Sequence, residues 1–184
     1  MNKQTIRSIS KHAQQGFTLI ELIVVIVILG ILAATALPKF ADMSGDARFA
    51  ALNSAAGALR STSATIHGQA LVNPTLTQVT NEGITVNLSA TYADASANTS
   101  TTGLATAAGL ASTDWLIIPA GTSANAGTGG VNPQTSGTQF AVIPVSLQGK
   151  ANAANCYVMY TATTVSTTPP TIAVSGTASA ANCR

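Results

Sequence analysis

Any chemistry in this chain has to come from a small stock: six acidic residues, two histidines and two cysteines among 184 residues. Nucleophilic catalysis needs a nucleophile, a base within hydrogen-bond reach and a third group that orients the base. His12 lies among the basic residues at the start, and His67 is the one histidine beyond them. Neither a Ser–His–Asp nor a Cys–His set can be assembled from such spacing. Asp42 and Asp46 are four apart, on one face of a helix. With Arg48 close by they read as a solvated face rather than a general acid/base pair. Neither histidine stands at ligand spacing from Cys156 or Cys183, so no metal is expected. The stretch Gly121–Gly137 (GTSANAGTGGVNPQTSG) is a polar loop without the Lys-Ser/Thr ending of a phosphate-binding loop. The expectation is a protein that is not an enzyme and carries no cofactor.

One acid stands in an unexpected place. Glu21 lies inside GFTLIELIVVIVILGILAATALPKF, where residues 17–37 are apolar except for Thr18, Glu21 and Thr35. At about 1.5 Å per residue such a segment crosses a bilayer core of about 30 Å. Lys3, Arg7 and Lys11 precede it and would hold the N-terminus in the cytoplasm, with the remainder outside. Three readings fit. The first is a plain membrane anchor. The second is a secretory signal peptide with a small-residue site, Ala34-Thr35-Ala36, before Leu37. The length of the apolar stretch and the position of Glu21 count against it. The third is a cut between Gly16 and Phe17 that removes residues 1–16 and keeps the apolar helix. Glu21 then sits one turn inside the new terminus. There it complements the helix dipole and can pair with a terminal amine, its own or an adjacent subunit's, setting axial register between copies.

The rest of the chain changes character. Charged residues make up only 8% of the sequence, well below the usual share, and hydrophobic residues 46%. No basic patch is dense enough to track phosphates, which argues against nucleic acid as the main partner. From Pro38 to about His67 the pattern is amphipathic: Phe40, Met43, Ala47, Ala50 or Ala51, Ala55, Ala58, Leu59, Thr62 and Ile66 recur at helical spacing. One helix from Phe17 to about residue 67 is expected, with Gly30 and Pro38 marking a segment that can bend or unwind. Beyond Leu71 the chain is turn-rich. Strands are expected at Ile84–Leu88, Trp115–Ile118, Gln139–Leu147, Cys156–Ala162 and Thr171–Ser175. Pro144 suggests an edge or a bulge, and Tyr92–Gly109 an exposed excursion. Behind an export-type N-terminus, Cys156 and Cys183 read as one disulfide, worth about 3–4 kcal/mol on the chain-entropy model. Two separate buried thiols are the alternative.

The run G-F-T-L-I-E at Gly16–Glu21, followed by LIVVIVILGILAATALP, resembles the N-terminus of type IV pilins over roughly residues 11–60. Gly16, Phe17, Glu21, Gly30 and Pro38 stand where that family has them. Pro38-Lys39-Phe40 with Asp46-Ala47-Arg48 and Ala50-Ala51-Leu52 resembles, more narrowly, pilins of the mannose-sensitive haemagglutinin (MSHA) group. The resemblance implies an α+β fold, a long helix whose C-terminal half packs on an antiparallel sheet of about four strands. It divides the chain into a leader (1–16), a transmembrane and filament-core helix (17–37), an amphipathic continuation (38–67) and a β-rich head (68–184) with a C-terminal disulfide loop (156–183). It implies cleavage by a prepilin peptidase between Gly16 and Phe17, N-methylation of Phe17, subunit docking through Glu21, and bending or melting at Gly30–Pro38. The expected function is that of a structural subunit polymerising into a surface filament for adhesion, attachment and motility. Expected partners are further copies in a helical filament, minor pilins, the peptidase, and an inner-membrane assembly platform with its ATPases. The prepilin would reside in the inner membrane before joining the pilus. A type II secretion pseudopilin and a soluble secreted binding domain behind an ordinary signal peptide are the rival readings.

Overall fold

The computed structural model describes residues 17–96, 98–99, 101–123 and 132–184, the side chains of residues 41 and 42 excepted. The leader with Gly16 and His12, the carboxylate of Asp42 and the middle of the Gly121–Gly137 loop lie outside the described residues. The chain divides between Lys39 and Phe40 into two units.

Helix α1 spans Leu19–Val72 and carries Pro38 inside it. Its first part is rich in Ile and Val, whose branched Cβ atoms make them mediocre helix formers in water. A helix is nevertheless the form that satisfies every backbone group in an apolar surrounding. Helical structure continues through both Gly30 and Pro38. Pro38 brings no N–H, so the Ala34 carbonyl loses its ordinary helical partner. The Thr35 hydroxyl donates to the Leu32 carbonyl at 2.9 Å in the same turn.

In the second unit α1 buries Leu52, Ala55, Ala56, Leu59, Ser63, Ile66 and Ala70. This face is rotated from the one expected. Ala55, Leu59 and Ile66 belong to it, but Phe40 is 66% and Met43 60% exposed, and Ala47, Ala50 and Ala51 are exposed as well. The large apolar residues at the front of the unit have no sheet to cover them within one chain. The helix also continues past residue 67 to Val72, so His67 does not stand at its end. The ring instead stacks on Tyr92, with centroids 3.8 Å apart, and its Nδ1–H donates to the Thr91 carbonyl at 3.0 Å.

Among the described residues seven strands form two antiparallel sheets, one of them the expected sheet of four strands and the other an additional one of three. A three-stranded sheet has the order β1 (Gln78–Asn81), β2 (Ile84–Ser89), β3 (Tyr92–Ala93). A four-stranded sheet has the order β4 (Trp115–Ile118), β5 (Gln139–Pro144), β6 (Val158–Thr161), β7 (Thr171–Val174). Strand β5 is buried on both faces from Phe140 to Pro144, as its unbroken apolar run requires. Pro144 therefore marks neither an edge nor a bulge. It ends an interior strand, pairs with Trp115 and precedes a 3-10 turn at Val145–Leu147, which takes the last part of the expected strand.

Tyr92–Gly109 is not an exposed excursion. It contains β3 and a short helix α2 (Leu104–Ala107), and Ala93, Ala95, Leu104 and Ala105 are fully buried. Buried Asn98 organises it. The Asn98 amide donates to the Asp94 and Ala95 carbonyls at 2.9 and 3.2 Å, and its Oδ1 accepts from the Ala105 N–H at 3.1 Å.

Tyr160 joins the two sheets. Its ring stacks on Phe140 with centroids 5.0 Å apart, and its hydroxyl donates to the Ala93 carbonyl at 2.7 Å. Burial pushes this hydroxyl well above the usual phenol range, with the nearby Asp94 charge adding to it and a Ser63 hydrogen bond opposing it. Folded Tyr160 keeps its proton where the unfolded chain releases it, so the contribution is full below the unfolded value of 10.0 and is lost as pH rises above it. Denaturant unfolding should show a stability decline above pH about 10 that is smaller in Tyr160→Phe. The variant should itself be about 1 kcal/mol less stable at neutral pH.

Candidate functional site

The N-terminal site is built by one turn of helix. Thr18 precedes α1, and its backbone N–H and its hydroxyl both donate to Glu21 Oε2, at 2.8 and 2.7 Å. In return the Glu21 N–H donates to the Thr18 hydroxyl at 3.3 Å. This is a reciprocal capping box, in which two side chains satisfy backbone donors that the first turn would otherwise leave open. The signal for it, Thr18-Leu19-Ile20-Glu21, is present in the sequence, but Thr18 was read only as a polar exception in an apolar run. Phe17 lies outside the helix and is 95% exposed. Glu21 shares an open apolar recess with Phe17, Ile20, Val24 and Val25.

From Leu19 to Leu37 the large apolar side chains are exposed all round. A helix that is hydrophobic on every side belongs in lipid or inside an assembly. Among the described residues α1 is the helix long and apolar enough to cross a membrane. A Cβ at Gly30 would meet nothing within 4 Å, so the single chain gives this glycine no steric reason.

The structure joins Cys156 and Cys183 in a disulfide with Cα atoms 5.2 Å apart. Both sulfur-bearing residues are fully buried. Cys156 sits in the bend before β6 rather than in the strand. The bridge fastens a segment that α1 also grips. Arg48 donates from Nε to the Ser146 hydroxyl and from Nη1 to the Cys183 carbonyl, each at 3.0 Å. Gly45 is buried against the Ala180 carbonyl, where a Cβ would collide with the oxygen. Sequence reasoning placed Arg48 beside Asp42 and Asp46 and gave Gly45 no role. Their partners lie about a hundred positions or more away, and no local pattern announces them. Phe17, Thr18 and Glu21 thus gather in the first unit, and the disulfide with its helix contacts in the second.

Comparisons with known proteins agree on the N-terminal part. Residues 11–37 match the family described as the prokaryotic N-terminal methylation motif. A type IV narrow pilus major component, PilA5, from Thermus thermophilus is 49% identical over 65 residues, 35% of this chain and 56% of that protein. A fimbrial protein from Pseudomonas aeruginosa is 41% identical over 63 residues, 33% of this chain and 41% of the relative. A type IV major alpha-pilin from Moraxella bovis is 68% identical over 31 residues, 17% and 20% of the two chains. The matches span about half or less of these relatives' lengths, and no solved structure matches. Over its N-terminal helix, then, this chain is similar to type IV pilins and fimbrial proteins.

Proposed function

We propose that the chain is the structural subunit of a type IV pilus, of the MSHA-like group, polymerising through residues 17–37 into a surface filament for adhesion, attachment and motility. The observation that carries the reading is an apolar helix, exposed on every side, that opens on a capped carboxylate one turn beyond Phe17. In this reading a prepilin peptidase cuts between Gly16 and Phe17 and Phe17 becomes N-methylphenylalanine. Glu21 sets axial register by pairing with a terminal amine in the growing filament. Gly30–Pro38 supplies the stretch that unwinds as subunits pack. The subunit waits in the inner membrane, is transferred by an ATP-driven assembly platform, and joins further copies and minor pilins at the cell surface.

The test is the intact mass and N-terminal residue of the protein purified from cells that make it. An N-methylated Phe17 start is expected. A start at Leu37 would mean an ordinary signal peptide and would overturn the reading.

A further inference from the structure

Two features of the second unit are left unused by the described residues of their own chain. The first is Glu82. Asn81 pairs with Ile84 across β1 and β2, so only Glu82 and Gly83 form the turn. Both have positive φ, 51° and 82°. A two-residue hairpin of this kind favours Asn, Asp or Gly at its first position. Glutamate is a strained choice there, and strain of this sort accumulates where a side chain serves something other than its own fold. The Glu82 side chain is exposed and engages no described residue.

The second feature is a cleft of about 290 Å³ between α1, the outer edge of β7 and Tyr92, lined by Arg60, Ser63, His67, Pro170 and Ile172 among others. Arg60 donates from Nη2 to the Ile172 carbonyl at 2.9 Å, which fixes the guanidinium at the strand edge and leaves its other donors open. No described carboxylate pairs with it. The stacked His67 and Tyr92 rings form one wall. The recess has ample room for a carboxylate side chain and is mostly apolar around Arg60.

The geometry points to a contact between copies of this chain in which the Glu82 carboxylate at the β1–β2 tip of one subunit enters the Arg60 cleft of the next. It rests on the pilus reading and gives that filament a second, head-to-head contact. Tip and cleft are different surfaces, so the contact is heterologous, and heterologous contacts repeat into open helices rather than closing on themselves. Glu82 is the described carboxylate of this unit best placed for the contact, since Asp94 already accepts from the Ser96 N–H and hydroxyl. Asp114 already accepts from the Thr113 hydroxyl, and Asp46 lies on the body of α1, away from any turn.

The test is charge exchange in cells that assemble the full chain. Arg60→Glu and Glu82→Arg should each lower sheared surface filament about tenfold or more, and the double exchange should recover the greater part. Glu82→Gly separates folding from assembly: glycine relieves the turn, so the head should melt at an equal or higher temperature while filament yield still falls. Single variants at wild-type yield, or a double exchange no better than the singles, would overturn the contact alone. So would normal filaments in Arg60→Glu combined with lost retention on a polyuronate matrix, which would assign the cleft to an acidic saccharide. A wild-type chain that forms no filament would overturn the pilus reading and this contact with it.

Discussion

Glu21→Gln should give a subunit that is cleaved and held in the membrane but does not polymerise. The substitution is informative because glutamine can still complete a Thr-x-x-Gln capping box, so the first turn of α1 keeps its cap while the charge disappears. Thr18→Val does the converse: it removes the side-chain half of the cap and leaves the carboxylate. If Glu21 works by pairing with an amine in a neighbouring subunit, Glu21→Gln should lower filament yield by an order of magnitude or more, and Thr18→Val far less. Loss of filaments in Thr18→Val with normal assembly in Glu21→Gln would show that helix capping, not charge pairing, is the role of this carboxylate. Sheared filament protein and the intact mass of the cell-bound subunit read both outcomes.

Cys156→Ser should cost the head about 3–4 kcal/mol, from a bridge closing a sequence separation of 27. For a domain of this size that corresponds to a melting point lower by about 10 °C under non-reducing conditions. Cys183→Ser should match it, and the double variant should add little, because both remove one constraint. The loss reaches beyond the bridge. The Cys183 carbonyl is an Arg48 acceptor, and Ala180 rests on Gly45, so freeing the segment loosens the helix that carries the core. Arg48→Ala, which cuts only the helix side of this grip, should cost about 1–3 kcal/mol. Unchanged melting in Cys156→Ser would show that the packing alone holds the segment.

What was legible in the sequence was what has a local period or a local chemistry. The apolar run of residues 17–37, the aromatic and apolar run Trp115–Ile118 and the two cysteines announce α1, β4 and the disulfide through hydropathy, strand propensity and compartment. Tyr92–Gly109 failed because alanine and threonine carry little periodic contrast, and because Asn98, polar by type, is buried by bonds to three backbone groups. The buried face of α1 was misplaced for a related reason. In a helix with alanine on several sides, only contact with the sheets decides which alanines are inside. Thr18 was legible and was missed, since the apolar run drew the eye past a capping box four residues long.

The three hydrogen bonds by which two arginines tie α1 to the rest of its unit all end on neutral oxygens: Arg48 on a hydroxyl and the Cys183 carbonyl, Arg60 on the Ile172 carbonyl. Charge–dipole bonds at this range are little affected by dissolved ions, whose screening acts over a Debye length of about 8 Å at physiological ionic strength. The fold of a single subunit should thus be nearly indifferent to salinity. A contact of Glu82 with Arg60 between subunits is a pair of full charges near solvent and should weaken as salt rises. Brackish and marine concentrations would leave each subunit intact while changing how firmly neighbours hold one another.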